Sequence, residues 1–460
     1  MARVARLSWA LSSVVALVFA AAHAACGDPT SAAAGGPGAT DDDAGTSQDV
    51  DGGSPGDGAS PLETGAPSNV YPAPHPPLPD SVNGSGGPVL TTPKAVLVFY
   101  PGYPFESQLE TFAQDMTQST YWSTTTSEYG VGPITYGGSM ELTGETAPMT
   151  ITDTALRAWV ASELQSGKLG TPDQSAMYTF FFPQSTTISQ TNPLSFLIGP
   201  QDSCVAFGGY HDSVSVAIGG GTPKTYAYVV MPTCGGSVDA LTAVASHEWV
   251  EAATDPFLTW IGGGFSVTGG PTSAFYSVDS DHSVWALLGG GEVGDLCENE
   301  TNIYVTPTDL HRQAQRTWSN VLARASHDPC TPNLPGVPYF NSAPVLDETV
   351  TFTSPFTGSV TTKGVTVAVG QSKTVEVDLF SDADTGGPWT VTADDYLATR
   401  YNVPSTMIFD WDRSQGQNGE KLHLTITVTS GSILNGGHVF VITSKKGLRQ
   451  TVWPGLVLEP

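Results

Sequence analysis

The chain has 460 residues and a formal net charge of −27, from 17 Lys+Arg against 44 Asp+Glu. A phosphate backbone is held by clustered Lys and Arg, and no basic patch interrupts this acidic sequence, so nucleic acid is excluded as an expected partner. Only 13% of residues are charged while 39% are hydrophobic, and Gly (51) and Pro (35) are abundant. That mix suits an exported, loop-rich, β-containing protein.

Residues 1–25 read as an export signal: Arg3 and Arg6 open it, Leu7 to Ala22 is apolar, and Ala22-His23-Ala24 is an A-x-A cleavage site. No later stretch reaches ~18 uninterrupted apolar residues. Ala24-Ala25-Cys26-Gly27 has the small-small-Cys pattern of a bacterial lipoprotein signal, with His23 where Leu or Val is usual. The mature protein is thus expected to be soluble or lipid-anchored at Cys26, which would be its one attachment to a membrane. Between Gly27 and Pro93 there are nine acidic residues and no Lys or Arg among Gly, Ser, Ala, Thr and Pro, so residues 26–93 are expected to be a disordered acidic spacer.

Order is expected from Lys94, where Ala95 to Tyr100 is an apolar strand closed by Pro101-Gly102. Glu106 to Ser119 carries Leu109, Phe112 and Met116 at helical spacing, and Thr152 or Asp153 caps a helix over Ala155 to Gln165 that stops at Gly167. Strands follow at Met177 to Phe182 and Thr225 to Met231, then a helix from about Val238 to Thr254, capped by Ser237. This alternation predicts an α/β or α+β domain over 94–335. Period-two patterns then appear at Val365/Val367/Val369, Val375/Val377/Leu379 and Leu422/Leu424/Ile426/Val428, with turns at Asp384 to Gly387, Asn418-Gly419 and Asn435 to Gly437. They predict a small antiparallel, immunoglobulin-like β-sandwich over 340–460. Asp382, Asp384, Asp410 and Asp412 there read as solvated turn acids before calcium ligands.

Apart from Cys26, the cysteines are Cys204, Cys234, Cys297 and Cys330, an even number in an oxidising compartment, which suggests two disulfides. Sequential pairing is the simplest arrangement; a metal-thiolate site is the alternative, and no C-x-x-C spacing supports it.

The chemistry concentrates in Ser246-His247-Glu248-Trp249-Val250-Glu251. On a helix, His247 and Glu251 at i and i+4 share one face and can chelate a single ion, with Glu248 beside them. This is the H-E-x-x-H zinc helix with its second His replaced by Glu, a legitimate Zn²⁺ ligand; the Glu after the first His is the usual general base. The same residues also suit an ordinary surface helix. Glu292 or Asp295, in Gly291 to Cys297, is the best third ligand, although both also read as loop acids. His211, in Gly208-Gly209-Tyr210-His211, is a further possibility, and Asp255 reads as an orienting or turn residue.

The combination resembles the EXORDIUM / phosphate-induced protein family of secreted proteins, whose members carry a His-Glu-Leu-x-Glu helix followed by a Glu-Ile-Gly-Asp-Leu-Cys-Glu segment. Here the two stand as His247-Glu248-Trp249-Val250-Glu251 and Glu292-Val293-Gly294-Asp295-Leu296-Cys297-Glu298. Tyr121-Trp122-Ser123-Thr124-Thr125 with Tyr129, and Tyr210-His211, are similar to two further family stretches; the resemblance spans roughly Lys94 to Cys330. It implies a zincin-like metal helix in a secreted, wall- or matrix-associated protein and leaves enzymatic activity open. The sequence therefore predicts a secreted or lipid-anchored zinc-dependent hydrolase, a metallopeptidase first of all, acting on an extracellular protein or a cell-surface polymer. A non-catalytic surface-binding protein with a structural ion is the alternative.

Overall fold

The computed structural model describes residues 63–190, 201–258, 272–354 and 358–460. The export segment, Cys26 and the spacer through residue 62 lie outside these, as does part of the Gly-rich interval after Ile261. Thr64–Pro460 form a single compact unit.

Its first layer is a five-stranded sheet made of β1 (Lys94–Phe99), β2 (Thr135–Glu141), β3 (Ala176–Phe182), β4 (Tyr210–Val216) and β5 (Lys224–Pro232), in the order β2-β1-β3-β5-β4. The first four strands of that order run parallel, and β4 closes the edge antiparallel to β5. Every residue of β3 is buried, as expected of a central parallel strand covered on both faces. Alternation sorts β1 accordingly: Val96 and Val98 pack with Leu156 and Val160, whereas Ala95, Leu97 and Phe99 pack with Phe112 and Trp249. The helices behind those contacts are α1 (Glu106–Met116), α2 (Thr120–Thr126), α3 (Asp153–Ser166) and α4 (Val238–Thr254). Thr152 caps α3 by accepting from the Ala155 N–H, and Gly167 ends it in the left-handed region. The helix expected to run to Ser119 instead stops at Met116, and α2 begins at Thr120.

The predicted α4 is buried almost throughout. Ala243, Ala245, Ala252 and Ala253 let it lie close to its neighbours, and Trp249 anchors it by stacking on Phe112 and donating its indole N–H to Thr179 Oγ1 at 2.9 Å.

The C-terminal part is a β-sandwich. One sheet holds β6 (Phe340–Pro344), β9 (Ser372–Ser381), β12 (Lys421–Val428) and β11 (Met407–Trp411), in that order and all antiparallel. The other runs β7 (Glu348–Ser354), β8 (Gly358–Thr366), β14 (Arg449–Leu458), β13 (Gly437–Lys446) and β10 (Trp389–Asp395), ending on the short strand Gln415–Gly416. Two expectations are corrected here. The β8–β14 pair is parallel, so the sandwich is not wholly antiparallel, and the short helix Tyr396–Tyr401 follows β10 where no helix was expected. Of the acids read as turn residues, Asp384 accepts from Gly386 N–H within its turn and Asp412 pairs with His423, whereas Asp410 lies within β11, opposite Thr425.

The structure also redraws the boundaries. The thirty residues before Lys94, expected to be spacer, are structured, because they are bound across both layers. Asn418 carries much of this: its Oδ1 accepts from Ala73 and Ser381 N–H, and its Nδ2 donates to Ser68 and Val70 carbonyls. His75 stacks on Phe380 at 3.5 Å, and Leu78 and Leu90 are buried. Nor does a linker separate the two layers. Trp285 contacts Trp318 and Trp453, and Trp453 meets Phe380, so one core runs from the mixed sheet into the sandwich.

Replacing Asn418 with Ala removes four hydrogen bonds and leaves buried backbone groups unpaired. We expect a loss of about 2–4 kcal/mol and faster amide exchange over residues 68–73, measured by hydrogen–deuterium exchange and denaturant unfolding. Unchanged exchange there would contradict this role.

Candidate metal centre

The helical phase of α4 brings His247 and Glu251 together, with His247 Nε2 3.1 Å from Glu251 Oε2. The other oxygen of Glu251 is taken by the backbone: Gly294 and Asp295 N–H both donate to Oε1 at 3.1 Å. Those donors are held in turn by the disulfide Cys297–Cys330, which ties their loop to the strand pair Thr317–Trp318 and Cys330–Thr331. The second disulfide joins Cys204 to Cys234, so the sequential pairing is present and the thiols are not metal ligands. Two disulfides suit an oxidising, extracytoplasmic compartment, and no helix among the described residues is long and apolar enough to cross a membrane.

Gly294 is required by close approach. A Cβ there would fall 2.6 Å from both Glu251 Oε1 and His247 Nδ1. Gly209 has a similar role, since its Cβ would meet Val244 at 2.7 Å and Glu248 Oε1 at 3.0 Å. Without side chains at 208 and 209, the chain can pass over α4 and enter β4, which delivers His211.

His211 lies in the middle of the cluster. Its Nδ1 is 3.6 Å from Glu248 Oε2 and 3.7 Å from Glu251 Oε2, while its Nε2 is 3.3 Å from Glu292 Oε1. Neither His211 Nε2 nor Glu292 Oε1 has a hydrogen-bond partner. Asp295 Oδ1 lies 3.8 Å from His247 Nε2. Asp255 accepts the Ala274 N–H through Oδ1 at 2.6 Å, and its buried Oδ2 is unpartnered. Of the site residues expected from sequence, His247, Glu248, Glu251, Glu292, Asp295 and His211 therefore converge, whereas Asp255 stands at the end of α4 and binds backbone. His211, a lesser possibility in the sequence, is central.

Two contributors escaped the sequence. Glu298 groups with His247 and Asp295 and stands exposed at the rim; its spacing from Asp295 on a 3₁₀ turn, where i and i+3 eclipse, was the available signal. Gln315 is the other. Its Nε2 lies 2.7 Å from His247 Nδ1 and donates to the Gly294 carbonyl at 3.0 Å. This contact fixes the Nδ1 edge of the ring and leaves Nε2 facing Glu251. The backbone of Gln315 is itself held by Tyr121, whose hydroxyl donates to the Gln315 main-chain carbonyl at 2.6 Å.

Crowded carboxylates set the electrostatics. Burial, reinforced by Glu251, pushes Glu292 up to about 8, and burial pushes Asp255 up to about 6. Burial also raises Asp295 well above the carboxylate range, with Glu251 and Glu298 adding to it. Burial opposes charge on His211 and His247 as well, yet Glu292 holds the first ring, and Glu251 the second, well above the ordinary imidazole value. Protons are one way to balance such a cluster. A divalent cation is the other, and the residues fit one: two histidines and five carboxylates offer ligand atoms in overlapping groups, with unpartnered His211 Nε2 and Glu292 Oε1 facing each other.

No protein-family model matches the chain, and no curated protein matches it. Solved structures similar to parts of it include the titin M3 domain, at 10% identity over 26% of this chain and 95% of that one, with a TM-score of 0.15. A titin M10–obscurin-like 1 Ig complex is similar at 17% identity, covering 21% and 87%, with a TM-score of 0.14. The twitchin kinase region of C. elegans is similar at 18% identity, covering 21% and 15%, with a TM-score of 0.15. At these TM-scores the likenesses carry no argument; the sandwich rests on its own strand pairing.

The close approach at Gly294 is testable. Gly294→Ala should weaken divalent-ion affinity by ~10–100-fold, read by calorimetric titration with zinc, while both disulfides still form. Wild-type affinity in that variant would show that the glycine serves the loop alone.

Proposed function

We propose that this chain is an exported, metal-dependent hydrolase, a peptidase first of all, with a zincin-like helix. The supporting observation is the approach of Glu251 Oε2 and Asp295 Oδ1 to His247 Nε2, with Glu248 beside them, in a buried site whose negative charge calls for a cation. His247 Nε2, Glu251 Oε2 and Asp295 Oδ1 would hold it, and a mixed nitrogen and oxygen set suits Zn²⁺. Such an ion supplies Lewis-acid polarisation of a substrate carbonyl and makes water more acidic.

The protein's own groups do the rest. Glu248 reaches His247 Nε2 through Oε1 at 4.0 Å and His211 Nδ1 through Oε2 at 3.6 Å, and in this role it takes the proton of the attacking water and returns it to the leaving group. Gly294 and Asp295 N–H fix Glu251, and Gln315 orients His247. The resemblance to the EXORDIUM / phosphate-induced protein family, a lipid anchor at Cys26, and an extracellular protein or cell-surface polymer as target belong to the same proposal.

One observation favours the non-catalytic alternative. The side chains of His247 and Glu251 are only 8% and 3% exposed, and the cavity of about 270 Å³ between Pro76, Trp285 and Trp453 contains none of the cluster's residues. A structural ion would be held in the same way.

Elemental mass spectrometry on the full chain, beside a peptide-hydrolysis assay, separates the readings. We expect bound zinc in the wild type, its loss in His247→Ala and Glu251→Ala, and zinc retained with turnover reduced by ~10²–10⁴-fold in Glu248→Gln. Unchanged turnover in Glu248→Gln would overturn the catalytic role, and a wild type that takes up no zinc at neutral pH would overturn the metal centre.

A further inference from the structure

We infer that the cluster is built for two ions, the second held by His211 Nε2 and Glu292 Oε1. This extends the metal reading proposed above and rests on it.

The argument begins from the imidazole ring. Its two nitrogens diverge, so they cannot serve one ion together. His211 Nδ1 faces the α4 carboxylates, 3.6 Å from Glu248 Oε2 and 3.7 Å from Glu251 Oε2, on the side where His247 Nε2 meets Glu251. Nε2 points the other way, to Glu292. A carboxylate facing Nδ1 favours the tautomer with the proton there and leaves Nε2 bare as a ligand, the usual orienting arrangement behind a metal-bound histidine.

Burial and the unpartnered atoms make the second position specific. His211 and Glu292 are 4% and 8% exposed, and beyond their 3.3 Å ionic contact with each other His211 Nε2 and Glu292 Oε1 are buried without a hydrogen-bond partner. A buried pair with no further hydrogen bond on either facing atom leaves binding capacity that an ion between them would satisfy. The separation of 3.3 Å between His211 Nε2 and Glu292 Oε1 matches a tetrahedron edge, roughly 3.3 Å for ligands ~2.0–2.1 Å from a zinc ion.

The donor inventory agrees. An ion on His247, Glu251 and Asp295 leaves His211 and Glu292 unused, and Glu251 Oε2 faces both histidines, as a carboxylate between two cations would. Nitrogen with carboxylate oxygen suits Zn²⁺ or Mn²⁺ at the second position.

The test is stoichiometry on the full chain, stripped with chelator, dialysed against zinc chloride at neutral pH, and counted by elemental mass spectrometry. Circular dichroism and disulfide content serve as folding controls. We expect two zinc ions in the wild type, one in His211→Gln and in the near-isosteric Glu292→Gln, one in His247→Ala, and none in His211→Gln/His247→Ala. One ion in the wild type, lost in His247→Ala and kept in His211→Gln, would overturn the second position and leave the first standing. One ion lost in either histidine variant would mean a single shared shell and would also overturn the proposal. No zinc in the wild type would overturn both metal readings together. The wild-type count decides between these even if a variant fails to fold.

Discussion

Much of the molecule's N-terminal layer is organised around one buried carboxylate. Glu251 is surrounded by His247, His211 and two backbone N–H groups, and burial alone would drive its acid form. His247 and the other partners reverse that and hold Glu251 below the usual carboxylate range. Maintaining the reversal requires an exact backbone path for the Gly294–Asp295 loop, which must come within hydrogen-bond reach of a helix in the core. The Cys297–Cys330 disulfide supplies that path, as does the hydrogen bond from Trp318 N–H to the Val293 carbonyl at 2.7 Å.

The same constraint explains why the surrounding elements carry aromatic residues. Tyr121 braces Gln315, Tyr129 donates to the Trp318 carbonyl at 2.7 Å, and Trp318 donates through its indole N–H to Pro79. Each couples a rigid apolar body to one polar contact, so a ligand-bearing loop is positioned by core packing. The chain from the site to the sandwich continues through Trp285 and Trp453. The sandwich is therefore part of the scaffold that fixes the loops around α4, and the arm that begins at Thr64 clamps both layers.

Legibility followed the range of the interactions. The α4 limits and the i,i+4 pair of His247 and Glu251 could be read because helical periodicity is local, and β1, β3 and β5 because apolar runs between turn residues are local too. The bound arm was not legible: residues 64–93 look like a spacer by composition, and they are held by Asn418 and Trp318, hundreds of residues away. The parallel β8–β14 pair was hidden for a related reason, since period two reports which face a residue takes and carries no information on strand direction.

By itself, the sequence determined that an acidic, disulfide-bearing chain would pair an α/β layer with a β-sandwich and carry a His-Glu-x-x-Glu helix. The helix appears as its local pattern implied, whereas the pairing of the four cysteines was open in the sequence and is sequential in the structure. Only the tertiary structure decided that His211 sits at the centre of the cluster, that Glu292 faces it, that Gln315 orients His247, and that the two layers share one core. Those outcomes depend on strands and loops far apart in sequence meeting across α4. Their cost and benefit arise from burying charge together, which no local window of residues records.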